Sequence, residues 1–314
     1  MGDYRNAMPS PLPILAIVGV TGSGKNHLAQ EVARQTGASL ISVDSRKVYR
    51  GLDIGTAKPS PETIREFEYG MIDCADPREY FSAGRYCREA RALAAKRLAS
   101  GRPVIMVGGT GFYLEAFMTG LADLPEISPA TRRRLREASQ QHGWAALAEE
   151  ARRLDPEFMA TVHPGDKTRV RRVLEVGWET GQRLSALLRE REMSPAPWPV
   201  LVVWPRIDRE SAYARIAERV YKMRAAGLTA EVRRLLESGI PPEAPGMATV
   251  GYREIVDFLD GKTDEAEAYE LIIRNTRRYA KRQETWFGNR GNAIILDGHD
   301  IDPERVISMW RHRG

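Results

Sequence analysis

Apolar positions along the chain fall into short unbroken runs that are separated by helical patterns. The first run, Ile14–Val18, has the length and composition of a strand that is buried on both faces of a parallel sheet. Similar runs lie at 40–43, 104–107, 200–204 and 293–296. Because helical patterns follow the first and third runs, the sequence predicts an α/β fold whose parallel sheet is flanked by helices.

One region interrupts this alternation of strands and helices. Between 124 and 193 the sequence shows no convincing strand. The helices predicted there are 129–140, 143–154 and 166–180. We therefore predict a helical insertion domain, 123–199, within a core that is built from 1–122 and 200–314.

The pattern after the insertion is again helical, apart from the last short strand. The helices predicted there are 208–226, 230–238, 249–259 and 264–287. The residues after the final strand are predicted to form an irregular basic tail.

The composition restricts the class of protein. Hydrophobic residues make up 42% and charged residues 28% of the 314 residues, as in an ordinary soluble protein. No apolar run approaches the length of a membrane span, and the N-terminus has no apolar signal core. Cys74 and Cys87 are the only cysteines, which argues against a disulfide framework and favours a reducing compartment. We expect a cytoplasmic monomer with no membrane partner.

A glycine-rich loop joins the first strand to the first predicted helix. Its residues are Gly19, Val20, Thr21, Gly22, Ser23, Gly24, Lys25 and Asn26. They match G-x-x-x-x-G-K-[ST], the phosphate loop of ATP-binding and other nucleotide-binding proteins, except at the last position. Backbone N–H groups, the helix N-terminus and Lys25 would together hold a diphosphate or polyphosphate. Asn26 stands where a hydroxyl normally contacts Mg²⁺, so its amide oxygen is the candidate metal ligand.

Two polar residues follow other predicted strands. Asp44 ends a strand that we expect beside the phosphate loop, and its carboxylate could hold a metal through water or accept a proton from a nucleophile. The third strand ends in glycines and offers no carboxylate, which leaves Asp44 as the candidate base; capping of a loop is its alternative role. Thr110, in a Gly-Gly-Thr-Gly turn, is equally consistent with a substrate contact and with a helix N-cap.

Basic side chains recur on two predicted helices. Arg215, Arg219 and Lys222 share one face of helix 208–226, where simple solvation would also explain them. The net charge is only +5, but residues 269–290 contain six basic and two acidic side chains, which gives +4. Five of these cations form a stripe opposite Ile272, Tyr279 and Trp286: Arg274, Arg277, Arg278, Lys281 and Arg282. A row of phosphates explains this stripe better than solvation does, although coiled and membrane-surface helices share the pattern.

Together these motifs resemble one family, the tRNA dimethylallyltransferases, also called tRNA isopentenyltransferases. The matching stretches follow the family order over most of the chain: GVTGSGKNHLA, DSRKVYRGLDIGTAKP, MID, FSAGRY, GGTGFYLEAF, DKTRVRRVLEVGWETG, VGYRE and NTRRYAKRQETWF. The resemblance implies transfer of a dimethylallyl group from dimethylallyl diphosphate to the N6 amine of the adenine 3′ of the anticodon in tRNA. It also implies Mg²⁺ as cofactor.

The resemblance assigns roles to individual residues at the reaction centre. It makes Asp44 the base, with Thr110 supporting the reaction and Lys25 neutralising the diphosphate. A pyrophosphate-binding arginine of the family matches Arg215 or Arg219.

The resemblance also indicates where tRNA binds. Ser45, Arg46 and Lys47 lie, with Asp44, in the stretch that touches tRNA, and Arg132 in the insertion matches a tRNA contact. The insertion and the basic helix would then grip the anticodon stem. Because the target adenine must leave its stack, base extrusion is implied.

Several residues depart from the usual family pattern. These are Val20 for Pro, Gly22 for Ala, Asn26 for Ser or Thr, Lys47 for Gln, and Tyr69-Gly70 for a His pair. We read the chain as an active but diverged member, in which Asn26 bears on the metal contact and Lys47 on base recognition. The alternatives are an isopentenyltransferase that acts on free adenine nucleotides, a small-metabolite kinase, and a non-catalytic tRNA-binding paralogue.

Overall fold

A computed structural model describes most of the chain: residues 12–122, 124–163, 165–190, 194–291 and 293–313, with Glu190 described by its backbone only. The segment 1–11, on which the prediction of no signal core depends, lies outside these residues. The described residues form two compact units, one running up to Met118 and from Pro195 onwards, the other spanning Thr119–Ser194. Within the described part of the chain, no helix has the length and apolar character needed to cross a membrane.

The first unit contains one sheet of five parallel strands. The strands are β1 (Ile14–Val18), β2 (Ser39–Val43), β3 (Val104–Gly108), β4 (Val200–Arg206) and β5 (Ile294–Asp297). Every residue of β1, β2 and β3 is buried, because the sheet is covered on both faces by apolar clusters. The predicted α/β fold with a parallel sheet is confirmed.

The spatial order of the strands is β2-β3-β1-β4-β5. We expected the strand that ends before Asp44 to lie beside the phosphate loop, but β3 lies between this strand, β2, and the phosphate-loop strand β1. The carboxyl ends of all three strands still meet at one edge of the sheet, which is where ligands bind in open α/β folds.

The helices, in chain order, are α1 (Lys25–Thr36), α2 (Pro61–Glu66), α3 (Ala83–Ala99), α4 (Gly111–Thr119), α5 (Pro129–Leu154), α6 (Pro156–Met159), α7 (Lys167–Thr180), α8 (Leu184–Glu190), α9 (Arg209–Ala225), α10 (Leu228–Glu237), α11 (Tyr252–Leu259), α12 (Glu265–Gly288) and α13 (Pro303–Arg311). The four helices predicted after the insertion correspond to α9–α12. Their ends differ from the prediction by up to three residues, as is usual for helix boundaries.

The predicted irregular tail is wrong, because α13 is a capped and buried helix. The side chain of Asp302 accepts a hydrogen bond from the backbone N–H of Glu304, and Pro303 occupies the first turn. Trp310 is fully buried, and its indole Nε1 donates to the carbonyl oxygen of Pro13 at 2.6 Å. The helix closes the apolar cluster that also contains Leu28 of α1.

All the secondary-structure elements in the described residues of the second unit are helices, joined by loops. Gly143, with φ of +73°, interrupts α5 and separates two helical segments that match the two predicted ones. The unit has its own apolar core, which includes Leu135, Leu147, Val173 and Leu174. The predicted domain limits, 123 and 199, lie within a few residues of the observed ones, and the tRNA-gripping role of this unit stays a prediction.

Candidate active site

The phosphate loop wraps the N-terminus of α1. Gly22 and Gly24 adopt left-handed backbone conformations, with φ of +87° and +82°, that L side chains rarely adopt. The backbone N–H groups of Gly22, Gly24, Lys25 and Asn26 have no hydrogen-bond partner among the described residues. These groups, at a helix N-terminus, form the kind of site that binds phosphate anions.

Helix α9 packs against this loop. Arg215 Nη1 donates to the carbonyl oxygen of Gly22 at 3.4 Å, and a Cβ atom on Gly22 would lie 3.6 Å from Cβ of Arg215. Arg219 follows one turn later, and its Nε is buried with no partner in the described structure. Burial lowers the pKa of the Arg219 guanidinium, while Asp44 opposes the shift. Lys222 is instead exposed and paired with Glu218 at 2.6 Å, so only the first two members of the predicted basic face reach the loop.

Three cationic side chains, Lys25, Lys47 and Arg219, interact electrostatically with the carboxylate of Asp44. Lys25 Nζ donates to the carbonyl oxygen of Val20 at 3.0 Å. Burial, reinforced by the charges of Lys47 and Arg219, lowers the pKa of Lys25 to about 7, against the effect of Asp44. Lys47 is only 5% exposed, and burial lowers its pKa as well. One carboxylate faces three desolvated cations, an imbalance that an incoming anion would relieve.

Asp44 caps the turn that follows β2. Its Oδ1 accepts hydrogen bonds from the backbone N–H of Arg46 at 2.8 Å and of Lys47 at 3.3 Å. The loop-capping alternative is therefore realised through one carboxylate oxygen. No hydrogen bond to Oδ2 is found among the described residues, so that oxygen is available to a substrate. The role as base stays a prediction.

Thr110 connects the ends of β2 and β3. Its hydroxyl accepts the backbone N–H of Ser45 at 3.0 Å and lies 3.4 Å from the Ser45 hydroxyl. Its own N–H donates to the carbonyl oxygen of Val43 at 3.0 Å. The hydroxyl thus holds the Asp44–Ser45 segment and does not cap α4, which removes one of the two expected roles.

Sequence reasoning missed two residues of α12 that reach this centre. Tyr279 is half-buried; burial and the charge of Asp44 raise the pKa of its hydroxyl, which interacts with Thr110 and Gln283. Gln283 is buried and bridges two loops. The predicted pattern places Tyr279 on the packed face of the helix and gives Gln283 no role. The polar atoms of both residues, within the matching stretch NTRRYAKRQETWF, are the signal that could have found them.

Tyr69, which stands out in the sequence only as a departure from the family pattern, is a third residue whose role was not predicted. It is buried, and burial together with the Asp44 charge raises the pKa of its hydroxyl. A Cβ atom on the adjacent Gly70 would collide with Leu93, so the Tyr69-Gly70 departure is built into the packing of α3 against the sheet.

The basic stripe of α12 points away from the packed face. Arg274, Arg278, Lys281 and Arg282 are exposed. Arg277 differs, because it is half-buried, its guanidinium lies 5.2 Å from the centre of the Tyr213 ring, and its Nε has no partner in the described structure. The predicted five-member stripe therefore consists of four solvated cations and one that is turned toward α9.

Two other predicted tRNA contacts lie elsewhere in the chain. Arg46 is half-buried, with Nη1 donating to the carbonyl oxygen of Pro245 at 3.5 Å. Arg132 is half-exposed on α5 of the second unit.

The candidate metal ligand, Asn26, lies in the first turn of α1 and is half-buried. Its side chain makes no hydrogen bond to the described residues, and no cluster of three or more His, Cys, Asp or Glu among them could hold a metal. An oxygen ligand at the end of a phosphate loop suits Mg²⁺, which keeps water ligands and binds mainly through substrate phosphates. The residues fit a metal that arrives with a diphosphate.

The sheet order and the loop before α1 define a phosphate-loop α/β protein. The chain belongs to the IPP transferase family, whose pattern matches residues 47–290. It is 41% identical over 299 residues to "tRNA dimethylallyltransferase 1" of Pelobacter propionicus, which covers 95% of this chain and 96% of the relative. A tRNA dimethylallyltransferase of Alkalilimnicola ehrlichii is 43% identical, and the match covers 95% of this chain and 96% of that protein.

Solved structures agree with this placement. The crystal structure of the full-length tRNA isopentenylpyrophosphate transferase from Bacillus halodurans superimposes with a TM-score of 0.68 at 33% identity. The match covers 96% of this chain and 95% of that one. The sequence resemblance to the tRNA dimethylallyltransferases is therefore confirmed.

Proposed function

We propose that this protein is a tRNA dimethylallyltransferase that transfers the dimethylallyl group of dimethylallyl diphosphate to the N6 amine of the adenine 3′ of the anticodon. The observation that carries the proposal is the set of desolvated cations around Asp44, beside a helix with an exposed basic face. Family membership supplies the chemistry that this arrangement supports.

The first step is departure of the diphosphate. The bond between the allylic carbon and the diphosphate oxygen breaks, and both bonding electrons leave with that oxygen. The loop N–H groups, Lys25, Arg215 and Arg219 receive this charge. The unpartnered Arg219 Nε is a donor already in place for it.

The second step is attack by the adenine amine. Nitrogen N6 forms the new bond to the allylic carbon and loses one proton to the carboxylate of Asp44. Two backbone N–H bonds to Oδ1 fix this carboxylate and leave Oδ2 to accept that proton. The products are the prenylated adenine, diphosphate and one proton, so the reaction balances.

Mg²⁺ held by Asn26 and the diphosphate oxygens would neutralise leaving-group charge. Asn26→Thr restores the usual hydroxyl ligand, so we expect a rate equal to wild type or up to several-fold higher. Initial rates at a series of Mg²⁺ concentrations check this, with His27→Ala on the exposed next position as control. A sharp loss of activity in Asn26→Thr would give the amide a role of its own.

The tRNA is proposed to bind across the exposed face of α12, near Arg46 and Lys47, and along the second unit through Arg132. The extruded adenine reaches Asp44 after unstacking. We also propose that the chain acts as a monomer.

The deciding experiment compares acceptors. Purified protein is incubated with dimethylallyl diphosphate and either an anticodon stem-loop with the target adenine or AMP, and products are measured by mass spectrometry. Prenylated RNA without prenylated AMP is expected. Prenylated AMP alone would favour the nucleotide-specific enzyme, and tight RNA binding without product would favour the non-catalytic paralogue.

A further inference from the structure

Gln283 is a buried polar side chain of α12 that joins two distant parts of the active site. It is 6% exposed. Its Oε1 accepts the backbone N–H of Thr21, in the phosphate loop, at 2.9 Å. Its Nε2 donates to the carbonyl oxygen of Gly109, after β3, at 2.8 Å. The oxygen and the nitrogen of the amide are therefore both used, each on a different segment of the active site.

The loops are shaped to receive this helix. A Cβ atom on Gly109 would collide with Nε2 of Gln283, and one on Gly111 would collide with the Trp286 ring. Glycine at both positions lets α12 come close to the turn that carries Thr110. One turn before Gln283, the Tyr279 hydroxyl interacts with Thr110 itself. The contact is thus continuous along one face of the helix.

Thr21 is the member of the loop whose N–H is taken up by this bond. The N–H groups of Gly22, Gly24, Lys25 and Asn26 stay unbonded among the described residues and are the ones available to a diphosphate. A side chain that fixes Thr21 therefore sets the direction of its neighbours without contacting the anion.

We infer that Gln283 is a positioning residue, which holds the phosphate loop and the Thr110 turn at the separation that a diphosphate requires. The inference rests on the proposed prenyl transfer for its biological purpose, but its direct consequence is diphosphate affinity. The basic stripe lies on the opposite face of α12, so tRNA affinity should not depend on Gln283.

The test compares Gln283→Leu and Gln283→Glu with wild type, and uses Gln35→Glu, at an exposed position late in α1, as the matched control. Binding of inorganic pyrophosphate is measured by calorimetry, and binding of the anticodon stem-loop by fluorescence anisotropy. Gln283→Leu removes two buried hydrogen bonds and should weaken pyrophosphate binding by about 10- to 100-fold. RNA affinity should stay within about twofold, and Gln35→Glu should match wild type.

The pH dependence of Gln283→Glu separates positioning from simple packing. A carboxylate accepts the Thr21 N–H but repels the Gly109 oxygen, whereas the protonated acid can accept the one and donate to the other. Burial at this position should raise the pKa of the introduced carboxyl group well above its ordinary value of about 4.3. Its pyrophosphate affinity, divided by that of wild type at the same pH, should therefore rise as pH falls from about 8 to about 5.5. Tyr279 on the same helix, Asp44 after β2 and Lys25 in the loop titrate in both proteins, so this ratio removes their contribution.

Three results would overturn the inference. The first is Gln283→Leu with pyrophosphate affinity within about twofold of wild type. The second is an equal loss of RNA affinity, which would indicate a general disturbance of α12. The third is a ratio for Gln283→Glu that does not change with pH, which decides the question even if Gln283→Leu fails to fold. Because pyrophosphate binding needs no turnover, a protein that binds it as described but never prenylates RNA would contradict only the proposed function.

Discussion

Two groups of basic side chains lie in the same unit, and they differ in hydration. Lys25, Lys47 and Arg219 are desolvated around one carboxylate, and burial lowers the pKa of each. The cations on the outer face of α12, by contrast, stand in water. A desolvated cation is costly until a specific anion reaches it, whereas a solvated one is screened by salt and suits a long polyanion. The first group is therefore suited to a small diphosphate and the second to RNA.

The largest effect should come from removing the carboxylate of Asp44, around which the desolvated cations lie. Asp44→Asn keeps the cap to the Arg46 and Lys47 N–H groups but cannot accept a proton. We expect the rate of transfer to fall by about 10²–10⁴-fold while RNA affinity is retained. Single-turnover rates measure this, with the exposed Asp257→Asn as control. Near-normal turnover in Asp44→Asn would remove this residue from the mechanism.

The next largest effect should come from Arg219, whose Nε has no partner within the described structure. Arg219→Gln should weaken dimethylallyl diphosphate binding by about 10- to 100-fold, the value of a charged hydrogen bond. It should not lower the melting temperature, because it removes a buried cation rather than a pair. Lys222→Gln, on the solvent side of the same helix, is the control. Equal diphosphate affinity in the two variants would argue against the assignment of Arg219.

RNA binding by the exposed cations on the outer face of α12 should depend on salt concentration. Each of Arg278→Gln, Lys281→Gln and Arg282→Gln should weaken RNA binding by several-fold and reduce the slope of log affinity against log salt by about 0.7–0.9. Diphosphate affinity should be unchanged. Anisotropy titrations at four salt concentrations measure the slopes, and Lys262→Gln, which removes an exposed lysine paired with Asp257, is the control. Unchanged slopes would place the RNA on another surface.

The smallest expected effect is the uptake of a fraction of a proton by the Lys25 amine when diphosphate binds. Its pKa is about 7 in the free protein, so at pH 8 the amine is mostly neutral, and a bound diphosphate should restore the charge. Binding should then take up protons, and affinity should fall as pH rises above 7. Calorimetry in two buffers of different ionisation enthalpy measures the uptake. Lys25→Met should take up fewer protons; equal uptake would contradict the lowered pKa.

Much of the fold could be predicted because buried parallel strands are continuous apolar runs. β1 begins and ends where the run Ile14–Val18 does. Local sequence patterns do not reveal the order of strands in a sheet, so the position of β3 between β2 and β1 could not be predicted from them. The tail was misjudged because α13 is only nine residues long and buries just Val306, Ile307 and Trp310.

The candidate site shows a similar limit. The glycine-rich loop, Asp44 and Thr110 carry local motifs, and the structure brings their segments together at one edge of the sheet. Gln283 and Tyr279 lie within the matching stretch NTRRYAKRQETWF, but the resemblance gives neither a role, and periodicity identifies the packed face of α12 without showing what its polar atoms contact. Such partners depend on long-range folding.

The buried Trp310 has a consequence for the order of folding. Its indole joins α13 to Pro13, just before β1, across 297 positions of the chain, and the same helix completes the apolar cluster that contains Leu28 of α1. Contacts between segments so far apart in sequence carry a large loop-closure entropy, so we expect the docking of α13 to be a late step in folding.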